Sequence, residues 1–142
     1  MYNNVILKSS SKMNRKANMI LIFSHELTAT QVNDAQDGFG VCEFIKMPQM
    51  LQDKWSNVPP ELSNLDDFIE SFKNFIKVNA KIGDIVLVQG DFGATYGVVE
   101  FCKKLGVKAV YATTKRIIKE GIVGNQVVKS SVFEHVRFRE YW

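Results

Sequence analysis

Apolar runs alternate with amphipathic segments along most of this chain. Four short, largely β-branched runs are typical of strands buried in a parallel sheet, and they cover residues 19–23, 41–45, 85–88 and 107–112. Between them, apolar residues recur from Leu65 to Ile76 with the spacing of one helix face. Further helices are predicted around residues 48–55 and 98–101, and after Thr28, which forms a capping-box pattern with Gln31. This order predicts an α/β fold, a mostly parallel sheet flanked by helices.

The pattern changes towards the C-terminus. Residues 117–123 and 126–138 flank Gly124-Asn125, a pair typical of hairpin turns, and they predict a C-terminal β-hairpin. Alternation in the second arm places four side chains on one face, namely Phe133, His135, Arg137 and Arg139. Residues two apart in a strand are separated by roughly 6–7 Å, which suits successive phosphates. A charged face that protects a sheet edge explains the same pattern.

The composition predicts one globular domain. The 142 residues are 46% hydrophobic and 23% charged. Residues 1–18 are rich in Asn, Ser and Lys, so we expect a disordered tail or non-native extension there and a single domain over residues 19–142. Cys42 and Cys102 lie in separate apolar segments, which favours buried thiols over a disulfide or a metal site. Because no apolar run reaches membrane-spanning length, we expect a cytoplasmic protein with no membrane partner.

The net charge of +3 hides an uneven distribution. Residues 1–18 carry a net charge of +4, residues 19–102 of −7 and residues 103–142 of +6. A basic C-terminal third on an acidic body favours a local anion-binding surface over a surface for long nucleic acids.

The most informative stretch covers residues 84–101, where a buried strand leads through a glycine turn into a helix. Gly90 and Gly93 leave the backbone open to a ligand, and amides at a helix N-terminus attract phosphate. The glycine spacing matches neither the dinucleotide fingerprint nor a Walker loop, so a turn without a ligand explains it as well.

Polar residues follow three of the predicted strands, at 24–25, 89–95 and 113–116. The carboxyl ends of parallel strands share one edge of a sheet, where α/β proteins bind ligands. A strand order of 2-1-3-4 would place His25 beside Gly90.

Four blocks of the sequence together resemble the small CRISPR-associated ring nucleases of type III systems. The blocks are residues 23–28, 55–62, 89–96 and 132–139, and the resemblance covers residues 19–142. It implies a Rossmann-like fold similar to CARF domains and a cyclic oligoadenylate ligand, usually the four-membered ring. It also implies an activity that linearises this messenger and switches off the antiviral response.

This resemblance and the residue chemistry predict a metal-independent attack of a ribose 2′-hydroxyl on the adjacent phosphorus, with no cofactor. His25 is the first candidate for the base and His135 the competing one, since imidazole accepts protons near neutral pH. Ser24 is expected to hold the scissile phosphate or ribose. Lys115, Arg137 or Arg139 would supply positive charge.

Ligand contacts are expected mainly from the central turn. Its backbone amides would cradle a phosphate, and Asp91 would cap the helix or accept a ribose hydroxyl. Phe92, Tyr96 and Trp55 could stack on adenine, although core packing explains Trp55 as well. The full set of expected ligand-binding residues is Gln89, Gly90, Asp91, Phe92, Gly93, Ala94, Thr95, Tyr96, Thr113, Thr114, Arg116, Arg139, Trp55 and Asn57.

The ring has two-fold symmetry, which predicts a homodimer that uses the same crevice twice. Two other readings stay open: a binding protein that sequesters the ring without cutting it, and an unrelated nucleotide-binding α/β protein.

Overall fold

The computed structural model of this protein describes residues 16–142, and these form one sheet with helices on both faces. The strands are β1 (Ala17–Ile22), β2 (Val41–Lys46), β3 (Ile85–Val88), β4 (Lys108–Val123) and β5 (Gln126–Glu140). The helices are α1 (Ala29–Phe39), α2 (Gln49–Ser56), α3 (Asp66–Asn79) and α4 (Phe92–Leu105).

The strand order is β2-β1-β3-β4-β5, so the first four strands have the order 2-1-3-4 that would place His25 beside Gly90. These four run parallel, and β5 pairs antiparallel with β4 across Gly124-Asn125. The tail expected over residues 1–18 lies mostly outside the described residues. Its last two residues, Ala17 and Asn18, belong to β1, and the Asn18 amide donates to Asp84 at 3.0 Å.

Alternation along the central strands builds a core on each face of the sheet. Ile20 and Ile22 of β1 pack in a cluster with residues of α2, α3 and α4. Met19 and Leu21 of the same strand pack in a second cluster with Ala35 of α1 and with β5. Full burial of such a side chain contributes about 1.5–3 kcal/mol. Both faces of β1 and β3 are therefore buried, which explains their nearly continuous apolar sequences.

Helix termini follow the sequence signals. The Thr28 side chain accepts from the Gln31 amide at 3.2 Å and the Gln31 side chain accepts from the Thr28 amide at 2.9 Å, so the predicted capping box forms. Gly40 and Gly106 end α1 and α4 with φ of 66° and 82°, in the left-handed region that favours glycine.

The prediction that the fourth strand ends at Ala112, with residues 113–116 beyond its carboxyl end, is wrong. β4 runs unbroken from Lys108 to Val123. No glycine or proline interrupts residues 113–116, and the β-branched Thr113 and Thr114 favour the extended backbone.

The predicted face shared by His135, Arg137 and Arg139 is also wrong. Thr113 pairs with Arg137 and Thr114 with His135, so Val136 is an extra residue in β5. Such a bulge interrupts the alternation of side chains. His135 consequently packs against Phe138 with ring centroids 4.7 Å apart, whereas Arg139 bonds Tyr111.

Two glycines of the central stretch permit close packing. A Cβ on Gly90 would lie 2.5 Å from Trp55 Nε1, and one on Gly97 would lie 2.5 Å from Ile69 Cδ1. Gly90 was expected to open the backbone to a ligand. In the structure it makes room for the indole of α2.

The two cysteines differ from the expectation of two buried thiols. Cys102 is buried in α4, and burial raises its pKa to about 12. Cys42 is exposed on the edge strand β2, where its Sγ lies 3.6 Å from Asn18 Oδ1. Within residues 16–142 no helix has the length and apolar character needed to cross a bilayer.

Gly90→Ala is expected to destabilise the fold by about 1–3 kcal/mol, because the new methyl group displaces the Trp55 indole from its site. Urea unfolding followed by tryptophan fluorescence measures the loss. Gly121→Ala is the matched control, since a Cβ there meets no atom within 4 Å. Equal stability of the two variants would show that Trp55 tolerates the substitution.

Thiol labelling of the native protein at pH 8 is expected to modify Cys42 and to spare Cys102. The thiolate is the reactive species, and burial disfavours it at Cys102. Mass spectrometry after treatment with iodoacetamide counts the adducts. The Cys42→Ser variant should take up reagent only when denatured, and rapid native labelling of that variant would contradict the assignment.

Candidate functional site

A cleft of about 600 Å³ opens at the carboxyl ends of β1 and β3. Ser24 and His25 enter it from the loop between β1 and α1, and Gly90 and Asp91 from the turn between β3 and α4. The expected meeting of His25 and Gly90 is therefore found. The residues that line the cleft are Phe23, Ser24, His25, Trp55, Ser56, Val58, Gln89, Gly90 and Asp91.

Gln89 holds the floor of this cleft together. Its carbonyl accepts from Trp55 Nε1 at 2.7 Å, its Oε1 accepts from the Ala112 amide at 2.8 Å, and its amide donates to Ile22 O at 3.2 Å. These bonds join the end of β3 to α2, β4 and β1. Gln89 was expected to bind ligand. In the structure its side-chain oxygen accepts the Ala112 amide hydrogen bond, and its side-chain NH₂ group takes part in none of the three bonds described above.

His25 is exposed at the mouth of the cleft, beside the half-buried Ser24. Its ring packs against the edge of Phe23, with centroids 5.3 Å apart and planes at 68°. Because Phe23 directly follows β1, this contact restrains the imidazole relative to the sheet. A proton acceptor with access to solvent is thus held at the rim.

Asp91 caps α4, as predicted. Its Oδ2 accepts from the Ala94 amide at 3.0 Å, and its carbonyl accepts from the Thr95 amide at 2.8 Å. Two of the amides expected to cradle a phosphate are therefore already bonded. The amides of Phe92 and Gly93 lie in the first turn, where a helix offers no internal acceptor.

Trp55 is buried and stacks edge-on against Phe72 with centroids 4.9 Å apart. Of the two roles considered for Trp55, adenine stacking and core packing, the structure shows core packing. Its indole also forms part of the cleft wall. Asn57, expected to contact ligand, instead donates from Nδ2 to Asp53 O at 2.8 Å at the end of α2. It does not line the cleft.

The cleft lining contains no Lys or Arg, and its one carboxylate is that of Asp91. The cations expected at the site lie instead on the hairpin, which continues β4 past the end of β3. Lys115, Arg116 and Arg137 are exposed there, close in sequence to Thr113 and Thr114. Thr113 Oγ1 bonds both the amide and the carbonyl of Arg137 and fixes the two strands at this level.

Arg139 binds a tyrosine of the neighbouring strand β4. Its Nη1 donates to Tyr111 OH at 2.9 Å, and its guanidinium lies 5.5 Å from the centroid of the same ring. Tyr111 in turn stacks on Tyr141 with centroids 4.8 Å apart. Burial, and then the neighbouring Tyr111, raise the pKa of Tyr141, whose hydroxyl donates to Val88 O at 2.8 Å.

His135 lies away from the cleft. Its side chain is 3% exposed, its Nε2 lies 2.7 Å from Asp34 Oδ2 of α1, and its Nδ1 has no hydrogen-bond partner. The competing candidate for the base is therefore a packed residue that joins α1 to β5.

Phe92 and Tyr96 project from α4, 95% and 70% exposed. They border a second groove of about 300 Å³ together with Thr95, Val99, Glu100, Lys103, Tyr141 and Trp142. Gly93 is exposed, and a Cβ there would come 3.2 Å from Leu65 Cδ1, whereas Ala94 is fully buried. The expected ligand residues of this helix therefore do not share one surface.

Some lining residues were missed from the sequence. Ser56 and Val58 complete the wall beside Trp55, and Phe23 positions His25. Ser56 and Val58 follow Trp55 in the Trp-Ser-Asn-Val-Pro-Pro block. This proximity to Trp55 was the sequence feature that could have predicted them as lining residues. Across residues 16–142, no three side chains of His, Cys, Asp or Glu gather in a way that could hold a metal ion.

Comparison with known proteins identifies a family for this chain. The model of the uncharacterized protein MJ1673 family matches residues 17–139. The chain is 44% identical over 123 residues to the uncharacterized protein MJ1673 of Methanocaldococcus jannaschii, over 87% of this chain and 95% of that protein. No solved structure matches the chain. The protein therefore belongs to the uncharacterized protein MJ1673 family.

Proposed function

We propose that this protein is a cytoplasmic ring nuclease with a Rossmann-like, CARF-related fold, which linearises cyclic oligoadenylate and so ends type III CRISPR signalling. Cyclic tetra-adenylate is the preferred ring in this proposal. The observation that carries it is the convergence of Ser24, His25 and Gly90 at the carboxyl edge of a parallel sheet. The resemblance of four sequence blocks to ring nucleases supports the choice of ligand.

Cleavage begins when the imidazole of His25 accepts the proton of a ribose 2′-hydroxyl. The 2′-oxygen bonds to the adjacent phosphorus, and the bond from phosphorus to the 5′-oxygen breaks. The products are a 2′,3′-cyclic phosphate and a 5′-hydroxyl, whose proton comes from solvent at this open cleft. Ser24 holds the ribose or phosphate in line for the attack. No step requires a metal ion.

Charge stabilisation comes from outside the cleft. Lys115 and Arg137 stand at the base of the hairpin, on the edge of the sheet where the cleft opens. A ring of linked phosphates extends beyond one nucleotide, so phosphates next to the scissile one reach these cations. The exposed rings of Phe92 and Tyr96 offer faces on which an adenine can stack. A second copy of the chain would meet the two-fold symmetric ring in the same way.

Sequestration without cleavage is the second candidate, and one observation favours it. The cleft itself contributes one imidazole and no Lys or Arg to stabilise a developing phosphorane charge. A protein that only binds the ring would need nothing more. Product formation distinguishes this candidate from the nuclease.

His25→Ala is expected to lower the single-turnover rate at least about a hundredfold while leaving the affinity for the ring within about threefold, because the base acts only on the reacting hydroxyl. Excess protein is incubated with labelled cyclic tetra-adenylate in EDTA, and linear product is resolved by chromatography.

His135→Gln is the matched control for that experiment. It removes the other histidine, which lies against Asp34 away from the cleft, so it should cost stability and preserve cleavage. Wild-type cleavage by His25→Ala would exclude His25 as the base. Wild-type protein that binds the ring and yields no product would favour sequestration, and an equal gain in Tm with mononucleotides would favour an unrelated nucleotide-binding protein.

Arg137→Ala is expected to weaken ring binding about tenfold and to make the affinity less dependent on salt, because one phosphate contact is lost. Titrations at several salt concentrations measure both effects. Arg139→Ala is the comparison, since its guanidinium is engaged by Tyr111. An unchanged salt slope in Arg137→Ala would remove this residue from the site.

A further inference from the structure

The interior of the cleft does not suit a phosphate group. Among the residues that the structure describes, none of those lining the cleft is Lys or Arg, and the carboxylate of Asp91 would repel an anion there. The exposed cations Lys115, Arg116 and Arg137 stand outside the cleft, on the hairpin. A nucleotide that uses both surfaces would therefore turn its uncharged base into the cleft and its phosphates towards the hairpin.

The orientation of the Gln89 side-chain amide is fixed by its partner. The backbone amide of Ala112 is a donor, and it lies 2.8 Å from Gln89 Oε1. The opposite orientation would set the side-chain NH₂ group against a backbone N–H, so the two ends of the side-chain amide are not interchangeable.

The NH₂ group of Gln89 is free to bind a ligand. Within residues 16–142 it donates to no acceptor, and the buried side-chain polar atoms without a partner are Thr95 Oγ1 and His135 Nδ1. The NH₂ group is not among those buried atoms and is therefore open to solvent. Because Gln89 lines the cleft, it offers a donor of fixed orientation there.

Asp91 has the opposite hydrogen-bonding character, two residues further along the same turn. Its Oδ2 accepts from the Ala94 amide at 3.0 Å and so caps α4. Its Oδ1 receives no hydrogen bond from the described residues, and Asp91 is exposed where it lines the cleft. A carboxylate oxygen accepts hydrogen bonds and cannot donate them. The β3–α4 turn thus offers the cleft a free donor group on Gln89 and a free acceptor on Asp91.

These two groups together match the Watson–Crick edge of adenine. That edge has an acceptor at N1, which suits the Gln89 NH₂ group, and a donor at the N6 amino group, which suits Asp91 Oδ1. Hypoxanthine and guanine carry a donor at N1 and an acceptor at O6, so both contacts would be unfavourable. Because a polar group left unpaired in a binding site is costly, such a site discriminates between these bases.

The walls of the cleft suit a base better than a sugar. Phe23, Trp55 and Val58 contribute apolar surface beside the polar Gln89 and Asp91. Small-molecule sites combine such walls with a few oriented polar groups, and the volume of about 600 Å³ lies within their usual range. A ribose carries hydroxyl groups and gains little from an apolar wall, whereas the flat face of a base can pack against it.

We propose that the cleft binds the base of one adenylate, and that Gln89 and Asp91 select adenine by its Watson–Crick edge. This inference rests on the proposed function, and it fixes how the ligand enters. The base lies on the floor formed by Gln89, so its ribose lies at the mouth, where His25 is exposed. The phosphates on either side of that ribose extend out of the cleft towards the hairpin.

The test exchanges the donor and the acceptor. Gln89→Glu replaces the free NH₂ group by an oxygen, and its other oxygen can still accept from the Ala112 amide. Asp91→Asn places an NH₂ group where Oδ1 was, and Asn still caps a helix well. The double variant Gln89→Glu/Asp91→Asn keeps the net charge of the cleft and reverses its hydrogen-bonding pattern. It should therefore prefer inosine, whose base is hypoxanthine, to adenosine.

Titration of the full chain with uncharged nucleosides, followed by NMR, measures this preference without any phosphate. The wild type should bind adenosine at least about tenfold tighter than inosine, the double variant should show the reverse order, and each single variant should bind both nucleosides more weakly. The matched control is Gln36→Glu/Asp37→Asn, which makes the same exchange at exposed positions of α1 outside the cleft lining and should keep the wild-type preference. Urea unfolding checks that each variant folds.

Three results would overturn the base site: equal wild-type affinity for both nucleosides, no binding of adenosine at millimolar concentration, or a double variant that keeps the wild-type preference. The cleavage experiment with the ring is separate. Protein that prefers adenosine and leaves the ring uncut would retain the base site and lose the nuclease. Protein that cuts the ring and binds both nucleosides equally would retain the nuclease and lose the base site.

Discussion

The backbone of Gln89, where β3 ends, is the point on which the candidate site depends. Three neighbours bond this residue, through the Trp55 indole, the Ala112 amide and the Ile22 carbonyl. A buried carbonyl or amide without a partner costs about 1–3 kcal/mol, so these bonds resist any movement of the turn. The loop with Ser24 and His25 follows β1, which Gln89 joins directly. The cleft therefore inherits its shape from a hydrogen-bonded sheet edge rather than from mobile loops.

Elements governed by local periodicity could be predicted from the sequence. The apolar stripe from Leu65 to Ile76 became α3, Thr28 and Gln31 closed a capping box, and the order of the first four strands placed His25 near Gly90. Each of these depends on spacing within a segment or on the rule that parallel strands share an edge.

The errors came from features that depend on tertiary partners. The bulge at Val136 arises between two paired strands, and nothing in the alternation of residues 132–139 announces it. Gly90 stands in a glycine turn typical of ligand-binding sites, yet the indole of Trp55, more than thirty positions away in sequence, fills the space beside it. Nothing in the sequence near His135 indicates its hydrogen bond with Asp34, which lies on α1. Candidate chemistry at single residues was for this reason harder to predict than the fold.

The extra residue in β5 has a consequence for how the hairpin can change. Because paired residues point to the same side and β4 runs without an insertion, β4 sets the two faces of the distal hairpin, and the unpaired Val136 lets β5 follow them. With Val136 present, His135 turns inward to α1 while Arg137 is exposed. Loss of that single position would leave His135 opposite Thr114 and remove only the local bend and extra twist of the bulge. A one-codon deletion would thus redirect the tip of the hairpin without exchanging its two faces.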